Sequence, residues 1–264
     1  MRTDMSVRYT DVHTCISGSD WHGKILAGHS GIPELCMNLD SSGVVLCKDR
    51  PKVKAGCCAG FFIKRYNMPG FFTQLRRRFK TPRPYRALAG ALQLEKIGIA
   101  TPEVIAALVE TRNWVRREYL VTTSLSANSQ TFLNAVSDGA NADDLWQKLC
   151  CGVIPELCRL HDSGWIHGDL SIRNIYCDRD SGRYGFIDLD GMECCGRILP
   201  TADRCREIAR LVSSYLIVFR AIEHRDEFIC RAIESYRNSG GTSLKPDNVA
   251  AAMKSMIIRG EKYL

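Results

Sequence analysis

The chain has 264 residues, of which 45% are hydrophobic and 25% are charged, a composition typical of a globular protein with one large domain or two lobes. The N-terminal sequence lacks the apolar run of a signal peptide, and no stretch of 18 uninterrupted apolar residues predicts a transmembrane helix. Thirteen cysteines occur without a C-x-x-C pair or zinc-finger histidine spacing. Reduced thiols that pack as small apolar residues are therefore favoured over disulfides or zinc sites.

The positive charge is concentrated in one segment. Residues 50–94 contain eleven basic and no acidic residues, and subtracting these 11 from the 36 basic residues leaves 25 against 29 acidic ones, a net charge of −4. A run of charges usually forms a solvated face, but so many like charges without a counter-charge favour contact with an anionic partner. The basic residues are Arg50, Lys52, Lys54, Lys64, Arg65, Arg76, Arg77, Arg78, Lys80, Arg83 and Arg86.

The first half of the chain is rich in strand signals and contains one helix signal. Strands are indicated by β-branched and aromatic residues bounded by turn residues, and the helix by a stretch rich in Ala and Leu that stops before Gly and Pro. In chain order, the predicted elements are a strand–turn–strand over 33–47 with its turn at 40–43, a basic connection over 50–60, a strand over 61–66, a helix over 85–97 and a strand over 118–123.

The second half of the chain is predicted to be mostly helical. A long amphipathic helix over 142–161 has apolar residues at three- and four-residue spacing and a predicted kink at Pro155. Its apolar residues are Leu145, Leu149, Val153, Leu157 and Leu160. The elements predicted after it are a hairpin with its turn at 178–182 and helices over 202–220, 224–237 and 247–259.

The chemistry is concentrated in the motif His167-Gly-Asp-Leu-Ser-Ile-Arg-Asn174, with Asp188 on the following predicted strand. Phosphoryl transfer needs a carboxylate to accept the hydroxyl proton, here Asp169, and oxygen ligands for magnesium, here Asn174 and Asp188. As an alternative, Asp169 and Asn174 satisfy their own backbone as ordinary turn residues. We interpret His167 as a structural brace of the loop rather than as a base.

This motif resembles the catalytic loop of protein kinases, since Asp169 precedes Asn174 by the interval found in the pattern H-R-D-L-x-x-x-N. Within the protein-kinase-like superfamily, the chain is similar to the lipopolysaccharide-core sugar kinases, the Kdo and heptose kinase family, over about residues 33–220. The resemblance implies an α+β, bilobal fold. We expect a small β-rich N-lobe over 1–126 and a helical C-lobe with the catalytic loop over 127–264.

The resemblance also implies a nucleotide site. Lys64 would bind the phosphates of ATP, Thr122 and Thr123 would lie at the hinge beside the adenine, and Asp188 takes the position of the kinase metal ligand. Lys64 is alternatively an edge-strand lysine that extends along the surface. Gly43 is a weaker candidate for phosphate contact, because a single glycine in a turn is not a glycine-rich loop.

Two carboxylates, and the lack of a helix carboxylate to pair with Lys64, complete the comparison with kinases. Glu207 falls where kinases place a helix aspartate that holds the catalytic loop, although a surface glutamate paired with an arginine is equally compatible. Asp190 is either a second metal ligand or a solvated turn acid. Residues 87–93 contain no carboxylate to pair with Lys64, and Glu95 is close to the predicted helix end.

The implied reaction uses ATP and Mg²⁺ to phosphorylate a heptose or Kdo hydroxyl of the lipopolysaccharide core, or another anionic sugar acceptor. The implied location is cytoplasmic, on the cytoplasmic face of the inner membrane, and Phe71 and Phe72 beside Arg76–Arg78 suit a lipid interface. Nucleic acid is disfavoured because neither an aromatic stacking platform nor a reading helix is found.

Two alternatives use the same fold for another purpose. A small protein kinase or ATPase of the tRNA-modification type also has a His-Gly-Asp-Leu loop, but the basic segment with its aromatic pair favours a glycolipid. A non-catalytic pseudokinase scaffold is disfavoured because Lys64, Asp169, Asn174 and Asp188 are all present.

Overall fold

The computed structural model has the predicted α+β composition, in two compact units. It describes residues 13–17, 20–26, 28–41, 44–68 and 70–261. The first unit comprises Met1–Ala91 and Pro102–Leu125, and the second comprises Leu92–Thr101 and Ser126–Leu264.

The first unit is built on an antiparallel sheet. Its strands are β1 (His13–Ser17), β2 (Trp21–Leu26), β3 (Val45–Arg50), β4 (Val53–Cys58), β5 (Phe61–Tyr66), β6 (Val104–Arg112) and β7 (Val115–Thr123). Among the described residues these seven strands pair in the order β1-β2-β6-β7-β5-β4-β3. The strands predicted over 61–66 and 118–123 are confirmed, and they are hydrogen-bonded to each other as β5 and β7.

Within the described part of the first unit three helices begin: α1 (Ile32–Met37), α2 (Phe71–Arg78) and α3 (Arg83–Lys96), whose last turns belong to the second unit. The helix predicted over 85–97 is confirmed as α3. Ile32 and Cys36 of α1 pack in one apolar cluster with Ile63 of β5 and Val121 of β7. Because neighbouring strand residues point to opposite faces, Lys64 lies on the other face of the sheet.

Two predictions about the start of the chain are wrong in whole or in part. Within the region predicted as strand–turn–strand over 33–47, the first strand is instead α1, and Pro33 lies in its first turn, where proline favours a helix start. The return strand predicted after the turn is confirmed as β3. The predicted connection over 50–60 contains β4. Its Lys54 and Gly56 have low strand propensity, but β4 is paired on both sides, with β3 and β5, and cross-strand pairing overrides intrinsic propensity.

The second unit is largely helical and contains two short sheets. Its helices are α4 (Phe132–Ser137), α5 (Ala142–Lys148), α6 (Ile154–Asp162), α7 (Thr201–Phe219), α8 (Arg225–Asn238) and α9 (Pro246–Glu261). Its strands are β8 (Ser129–Thr131), β9 (Trp165–Ile166), β10 (Ile175–Asp178), β11 (Arg183–Phe186) and β12 (Glu193–Cys194). The hairpin β10–β11 and the three C-terminal helices are where they were predicted.

The long helix predicted over 142–161 is formed by α5 and α6 with a π-helical segment, Leu149–Val153, between them. Pro155, the predicted kink position, lies two residues after this segment, in the first turn of α6. The five apolar residues predicted to line one face are all buried, because that face packs into the core of the unit.

In the part of the chain that the structure describes, none of the helices combines the length and apolar character needed to cross a bilayer. The thirteen cysteines all lie among the described residues as free thiols, and Cys36, Cys158 and Cys205 are buried.

Candidate functional site

The predicted catalytic loop connects β9 to β10 in the second unit and is held by a buried glutamate of α7. Glu207 is only 3% exposed, and its carboxylate accepts hydrogen bonds from the backbone N–H of His167 (2.7 Å) and of Gly168 (3.1 Å). Arg210 lies 3.5 Å from the same carboxylate and donates to the carbonyl of Gly168. The kinase-like role of Glu207 is confirmed, because the longer side chain still reaches two loop amides.

His167 braces the loop, as predicted, in a fully buried position. Its Nε2 lies 3.1 Å from the carbonyl oxygen of Ile187, and its Nδ1 lies 3.4 Å from the backbone N–H of Asp169. These partners assign the proton to Nε2, so that Nδ1 accepts. Burial lowers the pKa of His167 to about 4, and the hydrogen bond to Ile187 opposes this shift. The imidazole is therefore neutral near pH 7 and joins two loops by hydrogen bonds.

A close backbone approach explains the glycine next to His167. Gly168 has a φ of 81°, in the left-handed region that favours glycine, and a side chain there would collide with the carbonyl of Gly191. The loop that carries Asp169 thus lies directly against the turn that follows Asp188.

Asp169 and Asn174 are brought together within the loop. The Asn174 side chain donates from Nδ2 to the backbone carbonyl of Asp169 (2.8 Å), so the orientation of the amide is fixed. With its nitrogen used for this bond, the amide oxygen Oδ1 is the atom that can bind a cation. Asp169 itself is exposed.

A backbone hydrogen bond places Asp188 beside this loop. The N–H of Ile187 donates to the carbonyl of Asn174 (3.0 Å), and Asp188 is the next residue. Asp188 has φ 59° and ψ 55°, a left-handed conformation that is uncommon outside glycine and is concentrated at functional sites. Asp190 follows in a short helical turn, Leu189–Gly191, and is half-buried.

The oxygen donors of this unit suit magnesium. Mg²⁺ is bound through one or two protein oxygens plus water and substrate phosphates, and Asn174 and Asp188 offer an amide and a carboxylate oxygen. Among the described residues, no group of three His, Cys, Asp or Glu side chains could hold a metal ion. Two protein oxygens are the number that a magnesium site completed by water and substrate phosphates uses.

Lys64 lies in the first unit, on β5, and is buried between two neighbouring strands. It is opposite Ala55 of β4 and Leu120 of β7. Its Nζ lies 5.0 Å from the centre of the buried Tyr66 ring, a cation–π distance. Lys64 is thus a central-strand residue, not the edge-strand lysine of the alternative. Tyr66 was missed from sequence, although its two-residue spacing from Lys64 places both on one face.

The predicted hinge residues end β7. Thr122 is paired with Phe62, and since Phe62 and Lys64 alternate with Ile63, Thr122 and Lys64 share a sheet face. The Thr123 hydroxyl accepts from the backbone N–H of Glu103 (3.1 Å), the residue directly before β6, so this hydroxyl links the end of β7 to the start of β6.

Gly43, the weaker phosphate candidate, lies outside the described residues. The turn between β3 and β4, the two strands that precede β5, consists of Pro51 and Lys52. Because kinases place their phosphate loop between the two strands that precede the lysine strand, this turn is the corresponding position. The sequence signal was the Pro-Lys pair between two runs that contain valine.

A second buried glutamate, also missed from sequence, organises the start of α3. Glu118 accepts from the backbone N–H of Arg83 (2.8 Å) and pairs with Arg116 (2.7 Å). The basic segment itself has a counter-charge from outside it in Asp40, which pairs with Lys54 (2.7 Å) and Arg65 (2.6 Å).

Comparison with known proteins agrees with this geometry. The model of the lipopolysaccharide kinase (Kdo/WaaP) family matches residues 65–236, more than half of the chain. No curated protein matches the sequence. Among solved structures, WaaP in complex with acyl carrier protein has a TM-score of 0.51 and 15% identity, covering 88% of this chain and 96% of WaaP. This likeness shows a shared protein-kinase-like fold.

Two further structures are more distant. WbdD has a TM-score of 0.46 and 14% identity, covering 82% of this chain and 50% of WbdD. A glucosamine kinase in complex with glucosamine, ADP and inorganic phosphate has a TM-score of 0.40 and 12% identity, covering 96% of this chain and 81% of the other.

Proposed function

The chain belongs to the lipopolysaccharide kinase (Kdo/WaaP) family, and on this basis we propose that it uses ATP to phosphorylate a heptose or Kdo hydroxyl of the lipopolysaccharide inner core. The observation that carries the proposal within the molecule is the fixed catalytic loop. Glu207 holds the backbone of His167 and Gly168, and Asn174 is bonded to the carbonyl of Asp169. Phosphoryl transfer depends on such positioning, because the protein contributes little covalent chemistry.

Asp169 is the proposed proton acceptor. As the acceptor oxygen forms its bond to the γ-phosphorus, the bond from that phosphorus to the bridging oxygen of ATP breaks and ADP leaves. The hydroxyl proton passes to the Asp169 carboxylate, which is exposed to an incoming sugar. Proton transfer of this kind contributes roughly 10²- to 10⁴-fold to the rate.

Asn174 and Asp188 are the proposed magnesium ligands. The bond from Asn174 to the Asp169 carbonyl supports this role because it orients the amide oxygen in advance. When bound, Mg²⁺ neutralises charge that develops on the phosphates. The left-handed backbone of Asp188 fits a carboxylate whose direction is set by function rather than by local preference.

The nucleotide phosphates are assigned to Lys64, in an N-lobe of residues 1–126, and the catalytic loop to a C-lobe of residues 127–264. Kinases orient this lysine with a helix glutamate, which α3 lacks near its middle. The ring of Tyr66 supplies part of that orientation through its contact with Nζ. Thr122 and Thr123 at the end of β7 remain the proposed adenine contacts.

The proposed acceptor carries negative charge and is anchored in the cytoplasmic face of the inner membrane. Several side chains of the basic segment are exposed and suit an anionic glycolipid, namely those of Arg50, Lys52, Arg76 and Lys80. Lys54 and Arg65 are already paired with Asp40 and are left out of this surface.

The test uses core oligosaccharide from cells that lack this protein. Incubation with the purified chain, ATP and Mg²⁺ should add one phosphate to a defined sugar, observed by mass spectrometry. Asp169→Ala should lose this activity with unchanged thermal unfolding. Asp226→Ala, which removes an exposed carboxylate from the start of α8, is the matched control and should keep it.

Two results would reject the proposal. Asp169→Ala that still phosphorylates the sugar would remove the proton-acceptor assignment. ATP hydrolysis without phosphate gain on any core preparation would reject the sugar acceptor and leave an ATPase.

A further inference from the structure

Helix α2 carries its apolar side chains on the side that faces solvent. Phe71 and Leu75 are exposed, and Phe72 and Phe79, the latter at the helix end, are 83% and 84% exposed. The spacing of 71, 75 and 79 by four residues, with 72 beside 71, places all four on one side of the helix.

The side of α2 that contacts the sheet is polar. The Gln74 side chain accepts from the backbone N–H of Arg116 (3.4 Å), and the Arg116 guanidinium donates to the carbonyl of Arg77 (3.3 Å). An amphipathic helix of a globular protein normally buries its apolar side. α2 has the reverse orientation, so its apolar surface fits a partner outside the chain.

A fourth exposed aromatic residue lies beside α2, in the two-residue turn between β6 and β7. Asn113 and Trp114 have φ values of 50° and 64°. Turns with two left-handed residues favour Asn-Gly, and a tryptophan in the second position is strained. Trp114 is nevertheless 83% exposed. A large side chain kept in a strained, solvent-facing position indicates a function for the side chain itself.

Phe71, Leu75 and Trp114 line one groove of about 340 Å³, which shows that α2 and this turn form a single surface. Its exposed charges are positive, because Glu110 and Glu118, which border the turn strands, are buried. Residues 70–80 and 111–117 contain no Asp or Glu, and the side chains of Arg76, Lys80 and Arg112 are exposed. Aromatic rings with flanking cations match the headgroup region of an anionic bilayer.

We propose that α2 and the Asn113–Trp114 turn dock on the surface of a bilayer that contains anionic phospholipid, with their aromatic rings at headgroup depth. A second copy of the chain is a poorer occupant, because two positively charged surfaces repel each other. The docking goes beyond the proposed reaction, since it requires neither ATP nor the sugar acceptor.

Sedimentation of the full chain with vesicles tests the proposal without either substrate. The protein should bind vesicles of phosphatidylcholine with phosphatidylglycerol, bind phosphatidylcholine alone more weakly, and dissociate as salt is raised. Phe72→Ser with Phe79→Ser should lower the partition coefficient about tenfold or more, because two rings leave the interface. Ile198→Ser, at an apolar residue that is 84% exposed in the second unit, is the matched control and should bind as the wild type does.

Trp114→Gly separates a docking role from a structural one. Glycine relieves the strained turn, so thermal stability should be unchanged or higher while vesicle binding falls several-fold. Asp169→Ala should bind vesicles like the wild type, which keeps this test independent of catalysis. Wild-type binding by the Phe72→Ser, Phe79→Ser variant would overturn the proposal. A wild-type dimer in sedimentation velocity that this variant dissociates would overturn it as well.

Discussion

Each unit contains a buried glutamate that accepts hydrogen bonds from backbone N–H groups, and the two carboxylates support different kinds of structure. Glu118, 1% exposed, accepts from Arg83 at the first residue of α3 and is paired with Arg116. Glu207 accepts from two consecutive residues of an irregular loop. The same chemical device starts a helix in the first unit and shapes the proposed catalytic loop in the second.

The difference follows from the hydrogen bonds that each backbone segment makes without the carboxylate. A helix has its own internal hydrogen bonds and leaves only its first N–H groups unsatisfied. The loop from His167 to Asn174 has few internal bonds, so an acceptor from α7 decides its conformation. We therefore expect the loss of Glu118 to reduce stability and the loss of Glu207 to reduce activity as well.

The largest effect is expected for Glu207→Ala. A buried N–H group and a partly buried one lose their acceptor, at a cost of about 1–3 kcal/mol each, and the loop that carries Asp169 loses its position. We expect kcat to fall about 100-fold or more and the free energy of unfolding to fall by about 3 kcal/mol. Phosphate transfer assays and urea denaturation measure the two effects. Glu207→Asp should keep part of both, and an unchanged kcat in Glu207→Ala would contradict the positioning role.

Glu118→Ala should separate stability from activity. Removal of the carboxylate leaves the Arg116 charge half-buried without this partner, and we expect about 2–3 kcal/mol lower stability with less than a tenfold change in kcat. Denaturation and kinetics of the same preparation measure the loss of stability and the change in kcat. In the double variant with Arg116→Ala, the two losses should not add, since both substitutions remove one ion pair. A kcat loss as large as that of Glu207→Ala would end the contrast between the two units.

The second unit also contains two buried histidines that make it sensitive to acid. Burial, followed by the nearby Arg204 charge, lowers the pKa of His161 to about 3, and burial lowers that of His167 to about 4. Both values lie below the ordinary value of 6.5. The unfolded chain therefore binds protons that the folded chain does not, and stability is complete above pH 6.5 and falls as the pH is lowered.

Each histidine should contribute a slope of about 1.4 kcal/mol per pH unit between pH 6.5 and its folded pKa. Denaturation at several pH values between 6.5 and 5 measures the slope before most carboxylates titrate. His161→Gln should remove about half of this slope. A slope in the variant equal to that of the wild type would show that His161 is not buried in its neutral form.

The smallest effect is expected for Asp40→Asn in the first unit. Hydrogen bonds from Arg65, then from Lys54, hold the pKa of Asp40 at about 2, below its ordinary 3.8. Its stabilisation is present above pH 3.8 and is lost as the pH falls through 2. Because the carboxylate is more than half exposed, we expect less than about 1 kcal/mol at pH 7. Denaturation at low and high salt should show that the stability difference between the wild type and Asp40→Asn shrinks as salt is raised. A difference that persists at high salt would contradict the assignment to exposed ion pairs.

Local sequence signals predicted the segments whose conformation depends on residues close to one another in the chain. The spacing of Leu145, Leu149 and Val153 predicted a helix face that is buried in the structure. The interval from Asp169 to Asn174 is the basis of the proposed catalytic loop. The predictions failed for Ile32–Met37 and for Val53–Cys58, and no element was predicted for α2, whose polar side faces the sheet. In these segments a neighbouring strand or an outward-facing surface decides the conformation, and neither is visible in a local pattern.

The sequence by itself determined the reaction type, because the spacing of Asp169, Asn174 and Asp188 is a local property of the chain. Only the tertiary structure decided how that loop is held. Glu207 is about forty residues from the amides it accepts from, and the proton on His167 is assigned by a carbonyl twenty residues away. Hydrogen bonds over such separations exist only after folding has brought the partners together, so no pattern of neighbouring residues contains them.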